Sequence, residues 1–234
     1  MKINVHAGHN ADGKVACGAV GLIKESTEAR KVKNEVIKQL KALGHTVYDC
    51  TVNDAKNVSA NLSEIVSKCN AHEADLDVSI HFNSGRNDKK GDGDNAGVEV
   101  WLYNTSSKAK SYATNVCKAV AALGFDNRGV KYSTGLYVLK HTKAPAMLIE
   151  CCFVDDADDI KLYNYKTMAA AIVKGITGKT VSTSGTSSTT VSTSKTSTTT
   201  ALYKVQVGAY SKKTNAESMV KKLKAAGFEA SIVS

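Results

Sequence analysis

The alternation of apolar and polar positions over the first 178 residues predicts helices and strands in turn. Apolar residues spaced three or four apart predict amphipathic helices over residues 25–43, 58–69, 107–123 and 155–176. Short apolar or alternating runs predict strands over residues 2–6, 46–50, 76–81, 97–103, 136–139 and 146–151. Because helices and strands alternate, we expect an α/β fold with a mainly parallel twisted sheet flanked by helices.

A run of serine and threonine separates this region from the C-terminal residues. Nearly every residue from 180 to 200 is Ser or Thr. Such a segment has few apolar groups to bury and cannot offset the entropy lost on ordering. We therefore predict one large domain over residues 1–178, a flexible linker over 179–201 and a small segment over 202–234.

The small segment has the pattern of a β-α-β unit. Alternating apolar residues predict strands at Tyr203–Ala209 and Glu229–Val233, with a helix at Asn215–Ala226 between them. Six lysines against two glutamates give this segment a charge of +4. It is too small to form a strong core alone.

Charge and apolar content narrow the class of partner. The formal net charge is +9, but the basic residues are scattered and form no block typical of a nucleic-acid-binding arm. This favours a polyanionic surface over nucleic acid. No run approaches the roughly 20 apolar residues of a membrane span. The N-terminus also lacks the apolar run of a signal peptide, so we expect synthesis in the cytoplasm.

The six cysteines fit neither a zinc finger nor a C-x-x-C redox motif. A chain of this length does not need a disulfide framework. We expect reduced and mostly buried thiols that pack as small apolar side chains. Trp101, on an alternating strand, is likewise expected to pack in the core or on the sheet.

Four polar residues lie where strands of the predicted sheet end or the first helix begins. His9 follows the first strand, Glu25 opens the first long helix, and His81 and Glu150 each close a strand. Ligands of open α/β sheets bind at such ends. Two histidines and a carboxylate form a common catalytic zinc shell, and a further carboxylate is typical of a general base. By spacing alone, each histidine also fits a partly buried core position.

At these residues the chain resembles the zinc-dependent N-acetylmuramoyl-L-alanine amidases of phage endolysins and bacterial autolysins. The resemblance covers about residues 2–176. Its motifs are Gly8-His9, Glu25 at the head of the helix, Ser79-Ile80-His81-Phe82-Asn83, Asn127-Arg128-Gly129, Leu136-Tyr137-Val138-Leu139, and Ala144-Pro145-Ala146-Met147-Leu148-Ile149-Glu150 with Phe153. The resemblance implies one zinc ion on His9, Glu25 and His81, with Glu150 as the catalytic carboxylate.

Other residues compete for some of these roles. Many relatives have Asp where this chain has His6, which makes His6 a rival first ligand, and Glu28 is a rival to Glu25. Arg128 is a candidate for holding a peptide carboxylate with its planar guanidinium, and a solvated loop cation is the alternative for it. Asn83 is a candidate for lining the cleft, although capping a turn is the more ordinary role for it.

The C-terminal segment resembles the first half of a sporulation-related (SPOR) repeat, through Tyr203-Lys204-Val205-Gln206-Val207-Gly208-Ala209-Tyr210 and Asn215-Ala216-Glu217. That family binds peptidoglycan. Because a full repeat is about twice as long, the segment is either inert alone or completed by a second copy in a homodimer.

The expected function is zinc-dependent cleavage of the amide between N-acetylmuramic acid and L-alanine in peptidoglycan, at the cell wall after release. Two alternatives stay open: a non-catalytic wall-binding protein on an amidase scaffold, and a zinc peptidase or deacetylase with the same metal shell.

Overall fold

In the computed structural model, the structure describes residues 1–181 together with residues 217, 219–221, 223, 224, 231 and 232. The chain divides into two units, Met1–Ser184 and Gly185–Ser234. All the strands and helices labelled below belong to the first unit.

Six strands form one sheet, and two of them run against the rest. The strands are β1 (Lys2–Ala7), β2 (Thr46–Asp49), β3 (Leu76–Asn83), β4 (Val98–Leu102), β5 (Asn127–Tyr132) and β6 (Ala146–Phe153). Their order across the sheet is β2-β1-β3-β6-β4-β5. All neighbours are parallel except β4 and β6, which are antiparallel. The expected α/β fold with a mainly parallel sheet is confirmed.

Helices cover both faces of the sheet. They are α1 (Glu25–Ala42), α2 (Val58–Asn70), α3 (Lys110–Ala121), α4 (Tyr137–His141), α5 (Ala157–Leu162) and α6 (Tyr165–Thr177). On one face, α1, α3 and α6 pack together over the sheet and bury the larger core cluster. A second cluster, which includes residues of α2 and α4, contains Trp101 as a partly buried member. All six cysteines are free thiols, and five of them are buried, as expected.

Two predicted elements differ from the structure near the C-terminal edge of the first unit. The predicted strand over residues 136–139 is instead the short helix α4, because an apolar run of four residues has no periodicity that distinguishes a strand from a helix. The predicted helix over residues 155–176 is two helices. Tyr163 is extended, and the Asn164 side chain accepts hydrogen bonds from the N–H groups of Lys166 and Thr167, which starts α6.

The strand β5 was not predicted. Its sequence has few apolar positions, and none of its residues is fully buried. It pairs only through β4, at the edge of the sheet. An edge strand of this kind lacks the apolar alternation by which strands are recognised in a sequence.

Most predictions for the C-terminal segment fall outside the described residues. This applies to the linker beyond residue 181 and to the predicted strand Tyr203–Ala209. The described residues within Asn215–Ala226 are helical. Of Glu229–Val233, the structure describes residues 231 and 232, and neither lies in a strand. Within the described part of the chain, no helix is long and apolar enough to cross a membrane.

A buried polar pair lies beneath the second cluster. Asn4 Nδ2 donates to Asp77 Oδ1 (2.6 Å) and to the Cys69 carbonyl (3.0 Å). Asn4 Oδ1 and Asp77 Oδ2 have no partner among the described residues. Burial is the largest cause that raises the pKa of Asp77, from 3.8 to about 6, against the opposing hydrogen bond from Asn4.

We predict that this carboxyl makes stability depend on pH. Because the pKa of Asp77 is raised by folding, its contribution is fully present below about pH 3.8 and is lost as the pH rises through about 6. Wild type should therefore lose about 2–3 kcal/mol relative to Asp77→Asn between pH 3.5 and 7.5, measured by urea unfolding. Asp54→Asn, which removes an exposed carboxylate, is the control. A difference that does not change with pH would contradict the prediction.

Candidate metal centre

The sheet brings three acidic and basic side chains into one row. The ends of β1 and β3 lie side by side, with Ala7 paired to Ile80. Further across the sheet, His81 is paired with Glu150, and Glu150 with Glu99. We call His81, Glu150 and Glu99 the cross-strand row. Because β4 is antiparallel to β6, the start of β4 lies beside the carboxyl end of β6.

His9, Glu25 and His81 converge at one end of the row. Glu25 Oε1 lies 2.9 Å from His81 Nδ1 and 3.2 Å from His9 Nε2. The two imidazoles meet edge to face, with ring centroids 4.9 Å apart. One ligand atom from each residue lies within 4.8 Å of the others. These atoms are spaced as three donors around a single small cation would be.

The backbone around Glu25 holds its carboxylate in place. Glu25 is the first residue of α1, where the helix dipole favours a negative charge. Its Oε2 accepts the N–H of Ala19 (2.8 Å), and its Oε1 accepts the N–H of Phe82 (3.2 Å). Burial alone would raise the pKa of Glu25, but hydrogen bonds from His81 and His9 outweigh burial and hold it well below its usual range. The carboxylate is therefore ionised.

The turn that presents His9 is held by Arg30. His9 has a φ of 62°, a left-handed conformation that costs energy for a residue other than glycine. From α1, Arg30 Nη2 donates to the carbonyls of His9 (2.9 Å) and Val52 (3.1 Å). Its Nη1 donates to the Ser26 carbonyl (2.9 Å) and, more weakly, to the Gly8 carbonyl (3.5 Å). These bonds join the turn to the helix that begins with Glu25.

Two glycines leave room for the ligand side chains. A Cβ on Gly8 would overlap the imidazole of His81, with Nδ1 only 2.6 Å away. A Cβ on Gly18 would lie 2.7 Å from Glu25 Oε2 and 2.8 Å from His9 Cδ2. The side chains of His9, Glu25 and His81 therefore pack directly against the backbone of these two glycines, which restricts their positions.

Glu150 lies beside this group, paired with His81 across the sheet. The residue is partly exposed, but its Oε2 atom is buried and has no hydrogen-bond partner among the described residues. Burial, followed by the charges of Glu25 and Glu99, raises the pKa of Glu150 to about 8. Such a carboxyl can accept or release a proton near neutral pH.

Irregular pairing flanks the row on both sides. Between His81 and Asn83, β6 has one more residue than β3. Cys151 and Cys152 fall in this bulge, and both are buried. On the other side, Val98 pairs with Asn127 but Glu99 pairs with Gly129, which leaves Arg128 as the extra residue of β5. A bulge re-aims a side chain, and here Arg128 is aimed at Glu99.

Glu99 binds three side chains. Its Oε1 accepts from Asn83 Nδ2 (3.0 Å) and Trp101 Nε1 (3.0 Å), and its Oε2 accepts from Arg128 Nε (2.8 Å). Asn83 Oδ1 in turn accepts the N–H of Ser84 (2.8 Å). The carboxylate is buried, with 4% of the residue exposed, and these bonds compensate its burial.

The structure separates the predicted ligands from their rivals. Glu28 accepts from Lys31 Nζ (2.7 Å) and the Tyr163 hydroxyl (3.0 Å) instead of facing the histidines. His6 lies buried within β1, with Nδ1 3.5 Å from Ser79 Oγ. Burial and the nearby His81 lower the pKa of His6 to about 3, so it is neutral. His9, Glu25 and His81 are brought together as expected.

Arg30 and Glu99 were not singled out in the sequence. Glu99 had a visible signal, because it is the one charged residue in the otherwise apolar strand Val98–Leu102. Arg30 had none, since a polar residue on a long helix is ordinarily solvated. Its role depends on carbonyls from residues 8, 9 and 52, which only the fold brings together.

The donor set fits zinc. Two imidazole nitrogens and a carboxylate oxygen are the usual ligands of a catalytic zinc ion, which keeps a fourth position open. Ligands about 2.0–2.1 Å from a tetrahedral ion lie about 3.3 Å from one another. The two contacts of Glu25 Oε1, at 2.9 and 3.2 Å, are close to that spacing.

Comparison with known families gives two matches. The family described as N-acetylmuramoyl-L-alanine amidase matches residues 3–179. The family described as SPOR domain matches residues 179–234.

The curated relatives include proteins of clostridia and bacilli. An uncharacterized protein of Clostridium perfringens (strain 13 / Type A) is 36% identical over 71% of this chain and 48% of its own length. The sporulation-specific N-acetylmuramoyl-L-alanine amidase of Bacillus subtilis is 26% identical over 74% of this chain and 62% of its own length. The chain thus spans about half to two-thirds of the length of these relatives.

Solved amidase domains have the same fold. The catalytic domain of the CD27L endolysin targeting Clostridia Difficile aligns with a TM-score of 0.67 and 27% identity, over 77% of this chain and 99% of that one. The amidase AmiC2 of Nostoc punctiforme aligns with a TM-score of 0.63 and 26% identity, over 75% of this chain and 94% of that one.

We predict that Gly8→Ala weakens metal binding. The new methyl group would displace the His81 imidazole from Glu25. The zinc dissociation constant, measured by competition with a chromogenic chelator, should rise about tenfold or more. Gly135→Ala is the matched control, because its Cβ would meet nothing closer than Ser133 Oγ at 3.7 Å. Equal zinc affinity in both variants would rule out the contact.

We also predict that Arg30→Lys weakens metal binding. A lysine has one terminal nitrogen and cannot donate to the carbonyls of Ser26, His9 and Val52 at once. The expected rise in the zinc dissociation constant is about tenfold. Lys38→Ala, on the same helix and paired only with Glu35, serves as the control. A loss of thermal stability with unchanged zinc affinity would assign Arg30 a purely structural role.

Proposed function

Because this chain belongs to the N-acetylmuramoyl-L-alanine amidase family, we propose that it hydrolyses the amide bond between N-acetylmuramic acid and L-alanine in bacterial peptidoglycan. The observation that supports this most strongly is the unpartnered oxygen of Glu150 beside the His9–Glu25–His81 group. Metal ligands beside a free carboxylate suit the metal-assisted hydrolysis of an amide.

In this proposal His9, Glu25 and His81 hold one zinc ion. When bound, zinc supplies a Lewis acid that activates water and polarises the scissile carbonyl. The ionised Glu25 adds the negative charge that favours a divalent cation between the two imidazoles. Phe82 and Ala19 orient its oxygens through their backbone N–H groups.

Glu150 moves the proton. Hydrolysis needs a base that takes a proton from the attacking water and an acid that gives it to the departing amino group of L-alanine. The Oε2 atom of Glu150, which has no hydrogen-bond partner among the described residues, is available for both steps. Glu99, hydrogen-bonded on both oxygens, is not free to take this role.

Arg128 and Asn83 are the proposed substrate-binding residues. Arg128 is partly exposed, at 41% of its side chain, and offers a guanidinium at the edge of the row. Asn83 lies at the end of β3, next to the row, and is tied to Glu99. With these two residues, the proposed substrate-binding surface extends from the proposed metal ligands toward β5.

The C-terminal segment is proposed to bind peptidoglycan, in line with its match to the SPOR domain family. The net charge of +9 favours an anionic wall. Tethering by residues 179–201 would raise the local concentration of the catalytic unit at its substrate. A homodimer through this segment, and release from the cytoplasm to the wall, stay predictions from the sequence.

We predict that two variants separate metal binding from proton transfer. Glu150→Gln should keep one zinc ion per chain and lose at least about a hundredfold in kcat, because it cannot transfer a proton. His81→Ala should lose both zinc and activity. Zinc is measured by elemental analysis, and activity by mass spectrometry of digested cell walls with and without chelator.

The products decide among the alternatives. An amidase releases stem peptides with a free L-alanine amino group. Acetate release would indicate a deacetylase, and cuts within the stem a peptidase. Binding to walls without any soluble product would indicate a non-catalytic scaffold and overturn the proposal.

A further inference from the structure

We infer that Arg128, oriented by Glu99, recognises a free carboxylate on the stem peptide and makes the enzyme prefer an acidic stem residue over its amide. This inference rests on the proposed function and concerns its substrate. It begins from the guanidinium of Arg128, which the protein fixes on one side and leaves open on the other.

Two contacts fix the plane of this guanidinium. Its Nε donates to Glu99 Oε2 (2.8 Å), and its Cζ lies 5.0 Å from the centre of the Phe153 ring. Glu99 is itself immobilised by Asn83 and Trp101. The guanidinium therefore has one orientation, which lowers the entropy lost when it binds a ligand.

The terminal nitrogens of Arg128 stay available. Within the described residues, neither Nη atom has a hydrogen-bond partner, and 41% of the side chain is exposed. The charges of Asp159 and Arg128 also attract each other, but the hydrogen bonds of Asp159 are to the N–H groups of Gly97 and Phe153. Two parallel donors on a fixed plane match the two oxygens of a carboxylate.

The distance from the metal ligands suits the stem peptide. Between His81 on β3 and Arg128 on β5 lie β6 and β4. With neighbouring strands about 4.8 Å apart, the guanidinium over β4 and β5 lies roughly 10–14 Å from His81. The carboxylate–guanidinium hydrogen bonds themselves span about 3 Å of this distance. An extended peptide advances about 3.3–3.6 Å per residue, so the remaining distance of roughly 7–11 Å corresponds to the second or third residue beyond the cut bond.

The chemistry of the substrate assigns the direction. N-acetylated sugars have no charge, and the lactyl carboxyl of muramic acid is consumed in the scissile amide. Carboxylates therefore occur on the stem peptide, and in this proposal the stem runs toward β5. A carboxamide offers one acceptor oxygen and an N–H₂ group that opposes the guanidinium donors. It would leave one of the two outward-facing N–H donors of Arg128 without an acceptor.

The test compares two synthetic muramoyl peptides that differ in one group, a free α-carboxylate or an α-carboxamide on the second stem residue. The full chain with bound zinc should cut the carboxylate peptide with a kcat/KM about ten- to a hundredfold higher, mainly through KM. The ratio of the two rates within one variant cancels any shared effect on Glu150. Arg128→Gln should bring this ratio close to one.

Glu99→Gln should lower the ratio as well. A glutamine can still accept from Asn83, but its N–H₂ group would face the Nε–H of Arg128 and release the guanidinium. Arg86→Gln is the control, since Arg86 has a similarly exposed side chain and is paired with Asp92 and Asp94 of its own loop and with Asp156. It should keep the wild-type ratio.

Each outcome has one meaning. If wild type cuts both peptides equally, the inference fails while the proposed function stands. The same holds if the preference survives in Arg128→Gln, because the carboxylate is then recognised elsewhere. If neither peptide is cut, and mass spectrometry of digested walls shows no free L-alanine amino group, both proposals fail.

Discussion

The carboxylate of Glu25 is the group on which the rest of the site depends. A single oxygen, Oε1, faces an imidazole on each side, 2.9 Å from His81 and 3.2 Å from His9. A buried carboxylate is stable only when it is paired and hydrogen-bonded. This pairing joins the start of α1, the turn after β1 and the end of β3. A change that moves any of these three elements separates the donors.

The reversal of strand direction at β6 and β4 extends the site beyond the metal ligands. If β4 were parallel to β6, its carboxyl end would lie at this edge and Glu99 would lie at the opposite one. Because β4 is antiparallel, Glu99 is paired with Glu150. The bulge in β5 then adds Arg128. The proposed metal ligands, the proposed proton-transfer group and the proposed anion-binding group thus follow one another across the sheet.

Gly8 and Arg30 support the site sterically and through hydrogen bonds to the backbone, and neither is a proposed metal ligand. Gly8 matters because a methyl group would occupy the place of the His81 ring. Arg30 matters because its N–H groups satisfy carbonyls in a strained turn. Such residues determine how accurately the ligands are placed, and metal affinity is sensitive to that accuracy.

The sequence by itself determined the alternation of helices and strands, the parallel core of the sheet and the residue types of a metal shell at strand ends. These follow from local periodicity and from the chemistry of single residues. One short element and one edge strand were not predicted correctly from the sequence. Residues 136–139 form a helix, and β5 has too little apolar alternation to be recognised. Tertiary structure decided that Glu25 rather than Glu28 lies against the two histidines. It also decided the bonds of Arg30 and the row through Glu99 to Arg128. They depend on strand order, strand direction and bulges, which bring together residues distant in the chain and have no local signal.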